Sequence, residues 1–419
     1  DSIVRGVEGE SYIEVDARGR MVKDQPETAQ FRPIPGEVIK TTIDIDLQRF
    51  MDSMWTKDRP TTQGAMMAMT PDGQVLALYS APTYDPNEFI GGISSKLWNA
   101  LNTDSAKPLM NRAVRAAFPP GSPFKLATAA IALKLGIVDF STHMPQACNG
   151  GFRFGSRVFK CWKPSGHGSL DLTGAIAHSC DVYFYQLGLR IGLKSLLEEG
   201  TRLGFGSPTG IDVGSERTSI FPPSTSYYEK RYGPRGWTNA VTLNLSIGQG
   251  ENDQSLINMM RFYSALAGDG NIPTPYIVEP KTPLKKVPLG ITPEQLAGLR
   301  AALVAVVESG TAAGAAARGG GKDLNIAGKT GTAQNPHGPN HGWFIGFAPA
   351  DNPKIVVGSI MEFAGHGTAV VPYVVKSIRH YLERLDPSLK QATIHVSVQD
   401  DSVTAVDSTP ADTTPPRPR

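Results

Sequence analysis

The sequence predicts a layered α/β or α+β fold for residues 41–390. Three observations carry this. Short apolar, strand-like runs lie at both ends of that stretch, and the segments between them repeat apolar residues at helical spacing. Apolar residues make up 40% of the 419 and charged residues 19%, enough to bury a sizeable core. Third, 44 glycines and 33 prolines suit many turns between elements. Net charge is only +2, from 41 Lys and Arg against 39 Asp and Glu. That balance excludes a nucleic-acid binder working through a bulk positive field. No run approaches the roughly 18 apolar residues of a membrane span, and no internal repeat is visible.

Residues 1–40 make a poor core, with Gly6, Gly9, Gly19, Pro33, Pro35 and Gly36 among scattered charges; Tyr12–Val15 could form an exposed strand. From Thr41 the texture changes. Asp44 or Asp46 can cap a helix in which Leu47, Phe50, Met51 and Met54 share a face. Gly64–Thr70 and Val75–Tyr79 flank Pro71-Asp72-Gly73, which predicts a hairpin. A buried helix runs from Ser122 to Leu135, with Gly136 as its C′ residue. Two more helical patterns fill 171–192, and others cover Ile257–Ala267 and Pro293–Glu308. The Ala- and Gly-rich stretch 310–321 reads as a mobile helix or loop. Strands follow at Trp343–Ala348 and Lys354–Glu362, then a helix near Tyr373–Leu385. The end, 391–419, is rich in Thr, Ser, Pro and Asp and is expected to be disordered.

Three short motifs carry chemistry. Ser122-Pro-Phe-Lys125 follows Phe118-Pro-Pro-Gly121 and opens a helix, with Pro123 suited to its first turn. Serine and lysine three apart share one helical face. A buried lysine of lowered pKa can take the serine proton, and the helix N-terminus offers N–H groups to an oxyanion. Alone, the pair reads more readily as an N-cap serine beside a solvated lysine. Ser179-Cys180-Asp181 comes 57 residues later, before the apolar run Val182–Leu187. Lys329-Thr-Gly-Thr332 offers a cation, two hydroxyls and, at Gly331, room for a substrate backbone to approach.

In this order the motifs resemble those of the penicillin-binding protein and serine β-lactamase superfamily: Ser-x-x-Lys, Ser-x-Asn or Ser-x-Asp, and Lys-Thr-Gly. Thr42–Gln48, Tyr84-Asp-Pro-Asn-Glu-Phe89, Asn111-Arg112, Phe118–Ser122 and Gly248-Gln-Gly250 look like a class B penicillin-binding protein. Gly166-His-Gly168 and Asp181-Val-Tyr-Phe-Tyr-Gln186 bring the chain nearest the elongation-type branch, penicillin-binding protein 2. The resemblance implies a transpeptidase domain over 41–390, an antiparallel sheet flanked by helices. Residues 1–40 would be the end of that family's non-catalytic pedestal domain, with a membrane anchor upstream of Asp1. It implies a D,D-transpeptidase at the periplasmic face of the bacterial inner membrane, acting on peptidoglycan stem peptides and trapped by β-lactams. A membrane glycosyltransferase of the elongation machinery is the implied partner, and catalysis needs no cofactor.

The same resemblance implies roles for named residues. Ser122 would attack the D-Ala-D-Ala carbonyl and Lys125 would act as base. Ser179 would relay a proton to the departing amine, while Asp181 would hold Lys125 or the substrate amide. Lys329, Thr330 and Thr332 would receive the terminal carboxylate, and the N–H groups of Ser122 and Thr332 would form the oxyanion hole. Many relatives have Asn where this chain has Asp181, which only accepts hydrogen bonds when ionised. A β-lactamase is disfavoured because no Glu-x-x-x-Asn segment between the second and third motifs could prime a deacylating water. A β-lactam sensor is disfavoured because no signalling domain is attached.

Cys148, Cys161, His167 and Cys180 fall within 33 residues. Three thiolates and an imidazole make a complete tetrahedral zinc shell, closed and therefore structural. The alternative is a Cys148–Cys161 disulfide with Cys180 free, which an oxidising compartment favours. His143, His178, His337, His341 and His366 show no ligand spacing and read as solvated loop residues, His341 and His366 being candidates for the acceptor side.

Overall fold

A computed structural model describes residues 4–10, 13–24, 31–214, 216–335 and 338–392. Its centre is a five-stranded antiparallel sheet. The strand order is Ala327–Ala333, His341–Ala348, Ile355–Met361, Gly64–Met69 and Val75–Ala81. The hairpin and the C-terminal strands foreseen in the sequence are therefore one sheet, joined where Gly358 faces Met67 across about 290 residues of chain. All residues of the Gly64–Met69, His341–Ala348 and Ile355–Met361 strands are buried, as a sheet covered on both faces requires.

The helices Ile45–Asp58 and Val371–Leu385 cover one face. Asp44 caps the first, accepting from Leu47 N–H, and Trp55 packs against both Tyr79 and Tyr373 at 6.0 Å between ring centres. The helices Leu256–Ala267 and Pro293–Glu308 cover the other. A Cβ at Gly358 would lie 2.4 Å from Met260 Sδ, so the glycine lets Met260 of that helix pack directly on the strand backbone.

Beside the Ala327–Ala333 edge sits a helical region built around Lys125–Lys134, nine of whose ten residues are buried. A helix apolar on all sides belongs inside other helices. Leu172–Ala177, Asp181–Ile191 and Leu193–Arg202 pack around it. The stretch 310–321, expected as a mobile helix or loop, holds a short helix at Ala313–Arg318. Its Gly319 lies so close to Val375 and Pro372 that a Cβ there would meet them at 2.9–3.1 Å.

At the N-terminus Ile13–Val15 forms a strand, where one was expected over Tyr12–Val15, and pairs with Met21–Asp24. Among the described residues no helix is long and apolar enough to cross a membrane. The expected disorder of the C-terminal tail concerns residues that from 393 onward lie outside the described ones, as does His337.

Candidate active site

The nucleophile turn is locked from several sides. Gly121 has φ +58°, and a Cβ there would meet the Thr332 carbonyl at 2.8 Å. Its N–H donates to Gly248 O at 2.9 Å, and the Tyr263 hydroxyl, buried on the Leu256–Ala267 helix, donates to Pro123 O at 3.0 Å. A 3-10 turn at Ser122–Phe124 then passes into the Lys125–Lys134 helix, which aims Lys125 inward.

Lys125 is fully buried and meets the second motif. Its ammonium donates to Asp181 Oδ1 at 2.7 Å, Ser179 O at 2.8 Å and Ser179 Oγ at 3.3 Å. The Ser179 hydroxyl in turn donates to Ser122 Oγ at 2.8 Å. The path from Ser122 to Lys125 thus runs through Ser179. Ser179 has φ +55°, a left-handed conformation that costs a non-glycine residue energy. It lies between the Leu172–Ala177 and Asp181–Ile191 helices, and the bond from Lys125 to its carbonyl helps hold it.

The third motif lies on the sheet edge. Thr330, Gly331 and Thr332 line a groove of about 490 Å³ with Ser122, Ser179 and Asp181. Thr330 Oγ1 lies 2.7 Å from Thr311 Oγ1, and Thr332 Oγ1 accepts from Gly367 N–H at 3.3 Å. Lys329 lies beneath the wall, fully buried, with its ammonium 3.4 Å from Thr330 O. Burial first, then the charge of Lys125, holds its pKa well below the usual lysine range. Gly331 is glycine for a reason the sequence did not suggest. A Cβ there would strike Pro123 Cδ at 2.4 Å, so the missing side chain seats the edge strand against the nucleophile turn.

The cysteine cluster abuts the same motif. All three cysteines are free, so the Cys148–Cys161 disulfide is absent. Their sulfurs and a His167 ring nitrogen lie within 4.8 Å of one another. His167 Nδ1 is 3.6 Å from both Cys148 Sγ and Cys161 Sγ, and Nε2 is buried without a partner among the described residues. Bonding to Cys161 and burial push the Cys180 thiol up, the same bond pulls Cys161 down, and burial lowers His167.

Sequence reasoning missed Trp162. Its N–H donates to Asp181 Oδ2 at 3.0 Å, and its indole N–H reaches His178 O and Ser179 O, each at 3.1 Å. The residue is 56% exposed and lines the groove. An exposed tryptophan beside a candidate ligand cysteine was the only available signal. His341 is a correction. It lies buried on a strand, where Nδ1 accepts from Phe363 N–H at 3.1 Å, because a sheet covered on both faces leaves no solvent there. His366 does line the groove.

A layered fold with a serine–lysine pair facing a Lys-Thr-Gly edge strand defines a class of active-serine proteins. Residues 64–380 match the penicillin binding protein transpeptidase domain, and the chain belongs to that family. It is 32% identical to the peptidoglycan D,D-transpeptidase MrdA of Haemophilus influenzae over 96% of its own length and 64% of that protein's. The chain therefore spans a little under two thirds of that relative. Its structure is similar to Pseudomonas aeruginosa PBP2 in complex with WCK 5153 (TM-score 0.75, 32% identity, 84% of this chain and 80% of that one). It is also similar to Helicobacter pylori PBP2 in complex with MreC (TM-score 0.77, 28% identity, 92% and 71%).

Proposed function

We propose that this chain is the catalytic part of an elongation-type peptidoglycan D,D-transpeptidase, which cross-links stem peptides for cell elongation and rod shape. The observation that carries the reading is the continuous hydrogen-bonded path from Ser122 through Ser179 to Lys125 and Asp181 at the floor of the groove. Run in reverse, the path carries a proton to Lys125 acting as base. The Ser122 proton passes to Ser179, and Ser179 gives its own to Lys125, as Ser122 Oγ bonds to the D-Ala-D-Ala carbonyl carbon. The N–H groups of Ser122 and Thr332 hold the oxyanion. Return of the proton through Ser179 to the departing amine breaks the C–N bond and frees D-Ala. The amine of a neighbouring stem peptide then attacks the ester, loses its proton along the same path and restores Ser122. Thr330 and Thr332 bind the terminal carboxylate, and Lys329 supplies positive potential from below.

Incubation with benzylpenicillin should give a stable adduct, mapped by peptide mass analysis to Ser122. A pentapeptide ending in D-Ala-D-Ala should release D-Ala. A chain that forms no adduct would overturn the reading, and one that frees the drug rapidly would be a β-lactamase.

Four ligands would hold one zinc ion: Cys148, Cys161, His167 and Cys180. Tetrahedral zinc with ordinary Zn–S and Zn–N bonds separates sulfur from nitrogen by about 3.6 Å, the spacing found at His167 Nδ1. A neutral imidazole and a readily ionised thiol suit the ligand role. Zinc here would be structural, tying the 148–168 loop to the second motif. Residues 1–40 are read as the end of a pedestal domain and 41–390 as the transpeptidase domain. We place the protein at the periplasmic face of the inner membrane with a membrane glycosyltransferase as partner. An MreC-like scaffold fits the same setting, as the Helicobacter pylori complex suggests.

A further inference from the structure

A second cavity of about 490 Å³ adjoins the groove and shares Lys160 and Cys161 with it. Its far walls include Arg153, Val158, Gln146 and Asn149. The hairpin Gly151–Phe154 and Arg157–Lys160 builds it, with Gly151 opposite Lys160, Phe152 opposite Phe159 and Arg153 opposite Val158. Alternation along the strands turns Phe159 toward the core, 5.7 Å from the Tyr185 ring, and sets Arg153 and Lys160 on the other face. Gly151 offers no side chain across from Lys160, and a Cβ there would meet Val158 Cγ1 at 2.9 Å, so backbone and Val158 form this part of the cavity wall. The hairpin is fixed in place, since the Tyr185 hydroxyl donates to Lys160 O at 3.0 Å and Cys161 N–H donates to Gly150 O at 2.9 Å. Tyr185 sits on the helix that begins at Asp181, so the cavity is rigidly registered to the catalytic groups.

Its charge is one-sided. Residues 140–170 contain Arg153, Arg157, Lys160 and Lys163 and no Asp or Glu. None of the four takes part in an ion pair among the described residues. Arg157 lies over the Phe159 ring, which leaves Arg153 and Lys160 as the cations of the cavity.

We propose that this cavity is a second anion subsite, taking a carboxylate borne by the stem-peptide strand upstream of the scissile bond. This rests on the transpeptidase reading and names what else the substrate must carry. Two cations beside two side-chain amides, in a space the size of one or two amino-acid residues, suit a carboxylate. Continuity with the groove through Lys160 makes the occupant part of the same strand. A simple penicillin, whose carboxylate mimics the terminal one, has no group to place there.

The test uses the full chain carrying Ser122→Ala, so that binding is read without turnover. Calorimetry compares a stem pentapeptide with the same peptide amidated at its upstream carboxylate, in the parent and in Arg153→Glu/Lys160→Glu. The carboxylate peptide should lose affinity about tenfold on charge reversal, the amidated peptide less than twofold, and Arg153→Lys/Lys160→Arg should retain the parent's preference. Equal loss for both peptides, or no loss for either, would overturn the subsite. Thermal unfolding of the same charge-reversed chain should keep the parent's Tm to within about 2 °C, which shows that the fold is undamaged. Failure of the unaltered chain to be acylated would instead strike the transpeptidase reading, and the binding comparison would still decide the subsite.

Discussion

Replacing Lys329 by Met should make the protein more stable and less active at once. The ammonium is fully buried, and its one hydrogen bond among the described residues is a 3.4 Å contact to Thr330 O. Burial and Lys125 push its pKa well below the usual lysine range, with Asp181 opposing. An unpaired buried ammonium costs several kcal/mol. Allowing for the Thr330 carbonyl and the Asp181 charge, about 2 kcal/mol remains for methionine, of similar length, to recover. With roughly 380 described residues and about 2.1 cal/mol/K of unfolding entropy each, that is a rise of about 3 °C in Tm. The pH dependence has a definite sign. Unfolded, the lysine keeps its proton to about pH 10.4, whereas folded it loses it at lower pH. Between the two values the unfolded chain binds more protons, so native stability rises with pH, and the Met variant lacks this contribution. The gap between the two proteins should be widest below the folded pKa and close as pH approaches 10. Thermal unfolding from pH 6 to 10 measures it, and β-lactam acylation should fall about 10- to 100-fold as charge-assisted binding of the carboxylate is lost. A variant no more stable than the parent, or a gap that ignores pH, would refute the reasoning.

Asp181→Asn keeps an acceptor for Lys125 but removes the charge from a pair whose lysine is fully buried; we expect a loss of about 2 kcal/mol and a lower Tm, read by denaturant unfolding. Trp162→Phe keeps the backbone bond to Asp181 and deletes the two indole bonds near Ser179. It should slow benzylpenicillin acylation about five- to tenfold, from about 1 kcal/mol of lost hydrogen bonding, while Tm moves by less than about 2 °C. Dialysis against a strong zinc chelator should lower Tm, and added zinc should restore it in the parent but not in His167→Ala. An unchanged Tm on chelation would dismiss the zinc.

Much of this fold was legible because its elements advertise themselves locally. Asp44 before Leu47, Pro71-Asp72-Gly73 between apolar runs and Gly136 after an apolar helix all report on their own neighbourhood. What the chain does over distance was not legible. No local pattern pairs Gly64–Met69 with Ile355–Met361, and none shows that the hairpin at 151–160 exists, since Gly151-Phe-Arg-Phe154 alternates too briefly to stand out.

The site divides in the same way. Ser122, Lys125, Ser179, Asp181 and the Lys329–Thr332 run announce themselves by residue type and spacing, yet their spacing says nothing of depth. Lys125 and Lys329 are both buried cations, and only the structure shows that one has a carboxylate beside it and the other a lone carbonyl. The two lysines therefore do different work from similar positions. Lys125 is paired tightly enough to hold Ser179 in its left-handed turn, while Lys329 is left almost uncompensated, so a substrate carboxylate at Thr330 and Thr332 would be the partner the folded protein lacks. A site built this way gives up stability when empty and regains it when occupied.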